Sequence, residues 1–433
     1  VRIGVTGLAR AGKTALLTSI AANLLATGSG LGALPAFSAR LAGRSFRVAV
    51  APTEANDLPR FDSLSHLAAL ADDPPRWPSR TAAVSLLALD LEIGRQGLAA
   101  SLPVRRVRLE LLDYPGEWLL DLPLLGQDFA TWSEAALRRL EGKAGARPFL
   151  DFTLGLPAGA PADETLATAG HDLYVASLLR LRDQTGLSFL QPGRFLMPAP
   201  GPQPPWIGFF PLPGSSGLTG LMRKRYDKYR LQVRKDLVAP SFGRIDRLVV
   251  LADLLSALHA GAEAFADAAS ALGAVAQALR FRRQIPLLPS WLAALAPRLL
   301  GGIGRVAFVA SKSDHVADRQ RGNLAALVSS LTAVPGITAR GFAVASVRCT
   351  EDVVWTLDGR PVSAVRGRVA GEAKAGRSYP GEVPDRPPDA SFWAHPFLAL
   401  PDFEPMRLVL GGRGGVPHIG VDGLLAFLLE DLL

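Results

Sequence analysis

The chain has 433 residues, 48% of them apolar and 20% charged, which excludes a disordered polymer and allows more than one buried core. Cys349 is the only cysteine, which excludes an internal disulfide framework and fits a reducing compartment. The net charge of +8 permits contact with nucleic acid or anionic lipid without naming either.

No apolar run reaches the roughly 18–20 residues that a membrane span needs. The expected location is therefore the cytoplasm, with a peripheral place at the inner membrane face left open. Val1 already stands inside a strand pattern, so an upstream segment is expected beyond it.

Val1 to Thr6 reads as a short buried strand. Gly7-Leu8-Ala9-Arg10-Ala11-Gly12-Lys13-Thr14 follows, a full G-x-x-x-x-G-K-[ST], and Ala15 to Ala26 continue as a helix. Strand, glycine loop and helix are the context this phosphate-binding motif requires. The glycines let the backbone wrap closely, so that N–H groups from Ala9 through Ala15 face phosphate oxygens. The helix N-terminus adds its positive dipole end. Lys13 brings a charge to the β- and γ-phosphates, and the Thr14 hydroxyl is a Mg2+ ligand.

Ala82–Ile93 and Val104–Leu112 read as two strands of an antiparallel hairpin turning near Gln96-Gly97. The second ends in Asp113-Tyr114-Pro115-Gly116, a D-x-x-G. In nucleotide switches such an aspartate serves the Mg2+ and the Gly116 N–H meets the γ-phosphate. Ahead of the first strand stand Arg80-Thr81. Thr81 is the candidate metal-closing threonine, against a plain strand-edge residue. Arg80 is either a built-in arginine finger or a solvated charge. Glu117 holds the place of a water-orienting residue, where its charge would either position water or repel the γ-phosphate.

Helices are expected near Trp132–Lys143 and Glu164–Leu181, and a proline-rich loop or linker over Pro192–Pro213. Gly214-Ser215-Ser216-Gly217 is a loop, not a nucleophile elbow. From Leu218 to Leu237, Met222, Tyr226, Tyr229, Val233 and Leu237 mark one helical face, with Arg223, Lys224, Arg225, Lys228, Arg230, Arg234 and Lys235 around it. This reads first as a helix packed by its aromatic stripe. An anionic membrane or an acidic partner is the functional alternative. No recognised nucleic-acid module accompanies it, so nucleic acid is not the expected partner.

Arg247–Leu251 is a core strand followed by a helix over about Gly261–Leu279. Ile303–Ala310 is another strand, leading into Ser311-Lys312-Ser313-Asp314. A carboxylate at Asp314 can accept from guanine N1–H and the 2-amino group, which adenine lacks, and the Lys312 stem can cover the ring. The strand Gly341–Ala345 precedes Ser346-Val347-Arg348, where the Val347 N–H would meet guanine O6. Val353–Leu357 and Arg360–Val365 form a hairpin around Asp358-Gly359, and Val421–Leu433 is a closing helix. The six histidines show no metal-ligand spacing.

GLARAGKT, WPSRT, DYPGEW, SKSD and ASVRCTED, in this order, resemble the YcjX-like bacterial predicted GTPases, and the tail also fits. The resemblance implies a Ras-like nucleotide-binding core with a large, mainly helical insertion, GTP/GDP binding with Mg2+, slow hydrolysis, a stress-related role and a link to a small membrane protein. The expected α/β layout is a nucleotide domain over 1–120 and 246–352, an insertion over 121–245, and a β-containing extension with a closing helix over 353–433. The alternatives from the residues are a P-loop ATPase, a kinase with the Arg-rich helix as lid, or a nucleotide-bound scaffold with negligible turnover. The sequence does not give the oligomeric state.

Overall fold

A computed structural model describes residues 1–52, 58–78, 84–97, 101, 103–198, 201–238, 245–281, 303–333, 338–372, 374–394, 400–409 and 414–433. In chain order they begin with β1 (Arg2–Gly7), α1 (Lys13–Gly28), α2 (Pro35–Leu41), β2 (Phe46–Val50), α3 (Ser63–Ala71), β3 (Ser85–Ile93) and β4 (Arg105–Asp113). A helical stretch follows: α4 (Gly116–Leu119), α5 (Phe129–Leu140), α6 (Arg147–Gly155), α7 (Glu164–Thr185), α8 (Gly193–Leu196) and α9 (Gly217–Val238). The chain then runs β5 (Arg247–Ala252), α10 (Leu254–Ala260), α11 (Ala262–Phe281), β6 (Arg305–Ala310), α12 (Asp318–Leu331) and β7 (Thr338–Ala343). It ends with β8 (Thr350–Leu357), β9 (Arg360–Arg368), β10 (Ala375–Ser378), α13 (Ala390–Trp393) and α14 (Val421–Leu428).

The chain divides into two compact units. Val1–Tyr114, Ile245–Ala262 and Leu287–Leu433 form the first; Pro115–Arg244 and Glu263–Pro286 form the second. The second unit thus begins at Pro115, and it takes in α11, which follows α10. Asp267 of α11 explains the latter. It is 6% exposed and bonds Arg139 Nη1 of α5 at 2.6 Å and the Ser188 and Phe189 N–H groups at 2.6 and 2.8 Å.

The first unit is a mixed α/β layer around a seven-stranded sheet ordered β2-β3-β4-β1-β5-β6-β7. β4, β1, β5, β6 and β7 run parallel, and β3 and β2 are added antiparallel. The inner strands are apolar on both faces, as helices on both sides of a parallel sheet require. β1, β5 and β6 each keep five consecutive buried residues. β2 lies at the edge and is only five residues long, with Phe46 and Val48 half-buried and Arg47, Ala49 and Val50 exposed, too short an alternation to stand out in the sequence. Asp358 and Gly359, at φ 49° and 77°, make the tight left-handed turn between β8 and β9. β10 adds a third strand beside β9.

α14 is part of the main core. Val421, Leu424, Leu425 and Leu428 pack among Leu16, Leu24, Phe37, Val249 and Val309. Leu425→Ala is expected to cost about 2–5 kcal/mol, because a fully buried leucine leaves a cavity that rigid strands cannot fill. Chemical denaturation of the full chain measures it.

The second unit packs an aromatic core. Trp132 of α5 stacks on Tyr226 of α9 at 5.0 Å and 19°, and Tyr174, Phe149, Phe195, Phe209 and Phe210 close around them. Met222, Tyr226, Tyr229 and Val233, the apolar stripe of α9, are all buried; the Leu237 side chain lies outside the described residues. The stretch Pro192–Pro213 is more than a linker. It forms one helical turn, α8, and sends Phe195, Leu196, Phe209, Phe210 and Leu212 into this core. Its proline spacing hid the aromatic anchors.

Candidate nucleotide site

The loop between β1 and α1 is tightly built. A Cβ on Gly7 would overlap the carbonyl oxygen of Leu251, so β1 and β5 meet there backbone to backbone. Leu8 N–H donates to that same oxygen at 2.8 Å, and Ala11 N–H turns back to Leu8 O at 3.3 Å. Arg10 and Gly12 sit at φ 62° and 81°, the left-handed region, which reverses the chain between strand and helix. For Arg10 this costs about 1 kcal/mol, so the loop shape is imposed by its surroundings. Gly12 caps α1 with no side-chain hydrogen bond, and no acidic residue stands in the first turn. No side chain of the Gly12 cap or acid of the first turn therefore offsets the positive end of the helix dipole. Lys13 and Thr14 are half-buried in that turn, and Ala15 is buried.

Asp113 stands one strand away. The β1–β4 register pairs it with Val5, and Tyr114 N–H holds that pairing to its end at 2.9 Å from Val5 O. Alternation with Leu109 and Leu111 puts its carboxylate, 2% exposed, on the face that α1 covers. On its other side the register places Ser85 of β3. The Ser85 hydroxyl is buried and has no hydrogen-bond partner among the described residues. Sequence reasoning passed over Ser85, since a single serine at a strand start carries no pattern. Thr14 and Asp113 are hard oxygen donors of the kind Mg2+ takes. Arg80 and Thr81 lie outside the described residues.

The loops after β6 and β7 meet at Asp314. Ser311 N–H and Oγ bond Ala252 O at 2.9 and 3.3 Å, fixing the turn to the end of β5. Lys312 adopts φ 58°, and its Nζ reaches Asp253 Oδ2 at 2.6 Å, while Asp253 caps α10 through Ser256. Burial opposes the Lys312 charge, but the Asp253 carboxylate beside it prevails and holds the ammonium above the usual lysine range. The stem is thereby stretched along a defined line.

Asp314 is 1% exposed. Its Oδ2 accepts from the Cys349 N–H and thiol, both at 2.8 Å, and Thr350 Oγ1 bonds its carbonyl. Oδ1 carries no hydrogen bond among the described residues. Cys349 was missed in the sequence because its partner is distant along the chain. Burial and the Asp314 charge raise the Cys349 pKa, so the thiol stays protonated as a donor. Burial lowers that of His315, whose Nε2 lies 3.8 Å from Cys349 Sγ. Asp314, His315 and Cys349 group their donor atoms within 4.8 Å, yet a protonated thiol bonded to a carboxylate reads as a hydrogen-bonded triad, not a metal centre.

Val347 is buried against Ala15, Leu70 and Val416, which seats the Ser346-Val347-Arg348 loop on the first turn of α1. The Arg348 N–H is taken by Pro417 O at 2.7 Å. The tail completes this wall: Ile419 pairs with Ala345, and Asn23 of α1 donates to Val416 O at 3.0 Å.

Gly116 and Glu117 belong to the second unit. They open α4, and the buried Glu117 Oε2 has no hydrogen-bond partner among the described residues. A Cβ on Gly193 would overlap the Glu117 carbonyl, so α8 packs directly on α4. Below them Asp121, fully buried, accepts from Gly193 N–H at 2.7 Å and Tyr229 O–H at 2.6 Å. Arg194 stands 3.6 Å from Asp121, bonds Asp236, and stacks on Trp118 at 4.8 Å. The residues after D-x-x-G are thus tied to α8 and α9.

The model of the YcjX-like family, DUF463, matches residues 1–433. The chain is 34% identical over 458 residues to the Ras-like GTPase YcjX of Escherichia coli (strain K12), covering 100% of this chain and 96% of that protein. It is 30% identical over 469 residues to the Ras-like GTPase YcjX of Shewanella oneidensis, covering 100% of this chain and 94% of that protein.

Proposed function

The chain belongs to the YcjX-like family, and from that premise we propose that it is a guanine-nucleotide switch that hydrolyses GTP to GDP and phosphate. The observation that carries the reading is the uncapped first turn of α1 behind a left-handed Gly12, with Asp113 held one strand away. Backbone N–H groups of the Ala9–Ala15 loop, other than that of Ala11, which is turned to Leu8 O, would cradle the phosphates, and Lys13 would neutralise the β- and γ-oxygens. Thr14 and Asp113 would hold Mg2+, which supplies charge to the phosphate oxygens when bound.

Asp314, Lys312, Ser346 and Val347 are proposed to read the base. Thr81 and Gly116 would respond to the γ-phosphate, with Arg80 and Glu117 as candidates for stabilising the transferred group and placing water. Because Gly116 starts the segment that Asp121 ties to α8 and α9, a change at Gly116 would be felt by those helices. The relatives' name supports GTP as the nucleotide. A stress-related role, a peripheral place at the cytoplasmic membrane face and a membrane-associated protein partner are further parts of the proposal.

Multiple-turnover phosphate release from GTP, with ATP as the comparison, tests the reading. Lys13→Ala is expected to lower release on the order of 1000-fold, since it removes the motif's lysine charge from the β- and γ-phosphates. Release that survives in Lys13→Ala, or that favours ATP, would sink it.

A further inference from the structure

We propose that the outer face of α9 is a docking surface for anionic lipid. Among residues 223–235 the helix turns Met222's row, Tyr226, Tyr229 and Val233 inward and leaves the opposite face exposed. That face carries Arg223, Lys224, Lys228, Arg234 and Lys235, with Leu231 among them. At 3.6 residues per turn they fall within an arc of about 140°, spread over about 18 Å, and Leu231 lies near the middle of the arc.

The cations of α9 split into two kinds. Arg225 is 7% exposed, bonds Gly208 O at 2.7 Å and pairs with Glu164. Arg230 bonds Leu125 O at 2.9 Å and pairs with Asp227. These two are structural. The five outer cations make no ion pair among the described residues, and Asp227 is the one acid on their face. Asp128 acts on Arg223 without pairing with it, and like charges held this close on one face still repel each other, so an anionic surface relieves the repulsion within the row.

The composition of the face selects the occupant. It presents no exposed aromatic side chain and is rich in Lys, whereas protein interfaces centre on aromatic anchors and deplete Lys. Leu231 is 53% exposed at its centre. A phosphate backbone gives that side chain nothing, but a lipid headgroup region lets it enter the acyl boundary between flanking cations. The apolar stripe of α9 is spent on the aromatic core, so attachment would be electrostatic and reversible, of the polybasic kind. It does not depend on the nucleotide reading.

The test is flotation of the full chain with vesicles of phosphatidylcholine alone or mixed with phosphatidylglycerol. Binding is expected on the anionic vesicles only, and lost when salt shortens the screening length from about 10 Å to about 3 Å. Lys224→Gln/Lys228→Gln/Lys235→Gln is expected to weaken it on the order of 100-fold, about fivefold per charge removed. Leu231→Gln is expected to weaken vesicle binding several-fold and to leave binding to a duplex oligonucleotide unchanged. All four side chains are exposed, so the variants are expected to melt as the wild type does. Equal binding to neutral vesicles, or no effect of the triple change, overturns the proposal. Duplex binding as tight as vesicle binding, with Leu231→Gln affecting neither, assigns the face to nucleic acid instead.

Discussion

Asp314→Asn is expected to lower GDP affinity on the order of 100- to 1000-fold and to raise affinity for the xanthine nucleotide. A guanine presents N1–H and N2–H donors, and a carboxylate accepts both with charge assistance. An asparagine amide offers its own N–H2 to one of them, which leaves two donors facing each other in a buried place, at about 1–3 kcal/mol for each unmade bond. Xanthine carries an oxygen where guanine has the amino group, so the same amide finds an acceptor. The change keeps the side chain's shape, and the amide oxygen can still accept from the Cys349 N–H that now holds Oδ2. Folding is therefore expected to survive, and thermal melting checks it. Isothermal calorimetry with GDP, XDP and ADP gives the answer. Unchanged GDP affinity would show that the Cys349 pairing is the whole role of Asp314.

How much of this was legible in the sequence depends on how local the signal is. β1, β5 and β6 were legible because central parallel strands must be apolar on both faces, and β1 and β6 led straight into a motif. The hairpin at Asp358-Gly359 was legible from its turn residues alone. α2, β2 and α3 were not. They are short, and β2 is an edge strand with no fully buried residue. The wall around Asp314 was the least legible part. It depends on Cys349 beside Asp314, on Val416 against Ala15, and on Ile419 paired with Ala345, contacts made by residues far apart in the chain. A lone cysteine excludes an internal disulfide but does not point to a hydrogen-bonding role, and here its weak donor and its N–H fix a carboxylate. Ser85 was silent for the same reason: only the register of β3 on β4 sets it opposite Asp113.

The aromatic stripe of α9 was read correctly as core, but its tyrosines do more than fill space. Tyr229 spends its hydroxyl on Asp121, and this predicts the second large effect, a pH-dependent stability written into one buried carboxyl. Burial pushes Asp121 up to about 6, against Arg194, the Tyr229 hydroxyl and the Gly193 N–H, which all favour its charge. Asp236 shares Arg194 from the far side.

The folded state therefore binds the Asp121 proton more tightly than the unfolded chain, whose carboxyl titrates near 3.9. The stabilisation is full below about pH 4 and is lost as pH rises through about 6, a change of roughly 3 kcal/mol across that window. Asp121→Asn is expected to abolish this term: its stability relative to wild type should rise by roughly that amount between about pH 4 and about pH 7. Asp121→Ala is different in kind. It also removes the titrating carboxyl, but it leaves the Gly193 N–H and Tyr229 O–H without their acceptor and is expected to cost about 2–5 kcal/mol near pH 4, a cost that shrinks by roughly 3 kcal/mol towards pH 7 as the wild type loses its own term. Denaturant unfolding of the three proteins at the two pH values measures both. A wild type and Asp121→Asn pair that keep a constant stability difference would show that Asp121 stays ionised in the fold and that Arg194 outweighs its burial.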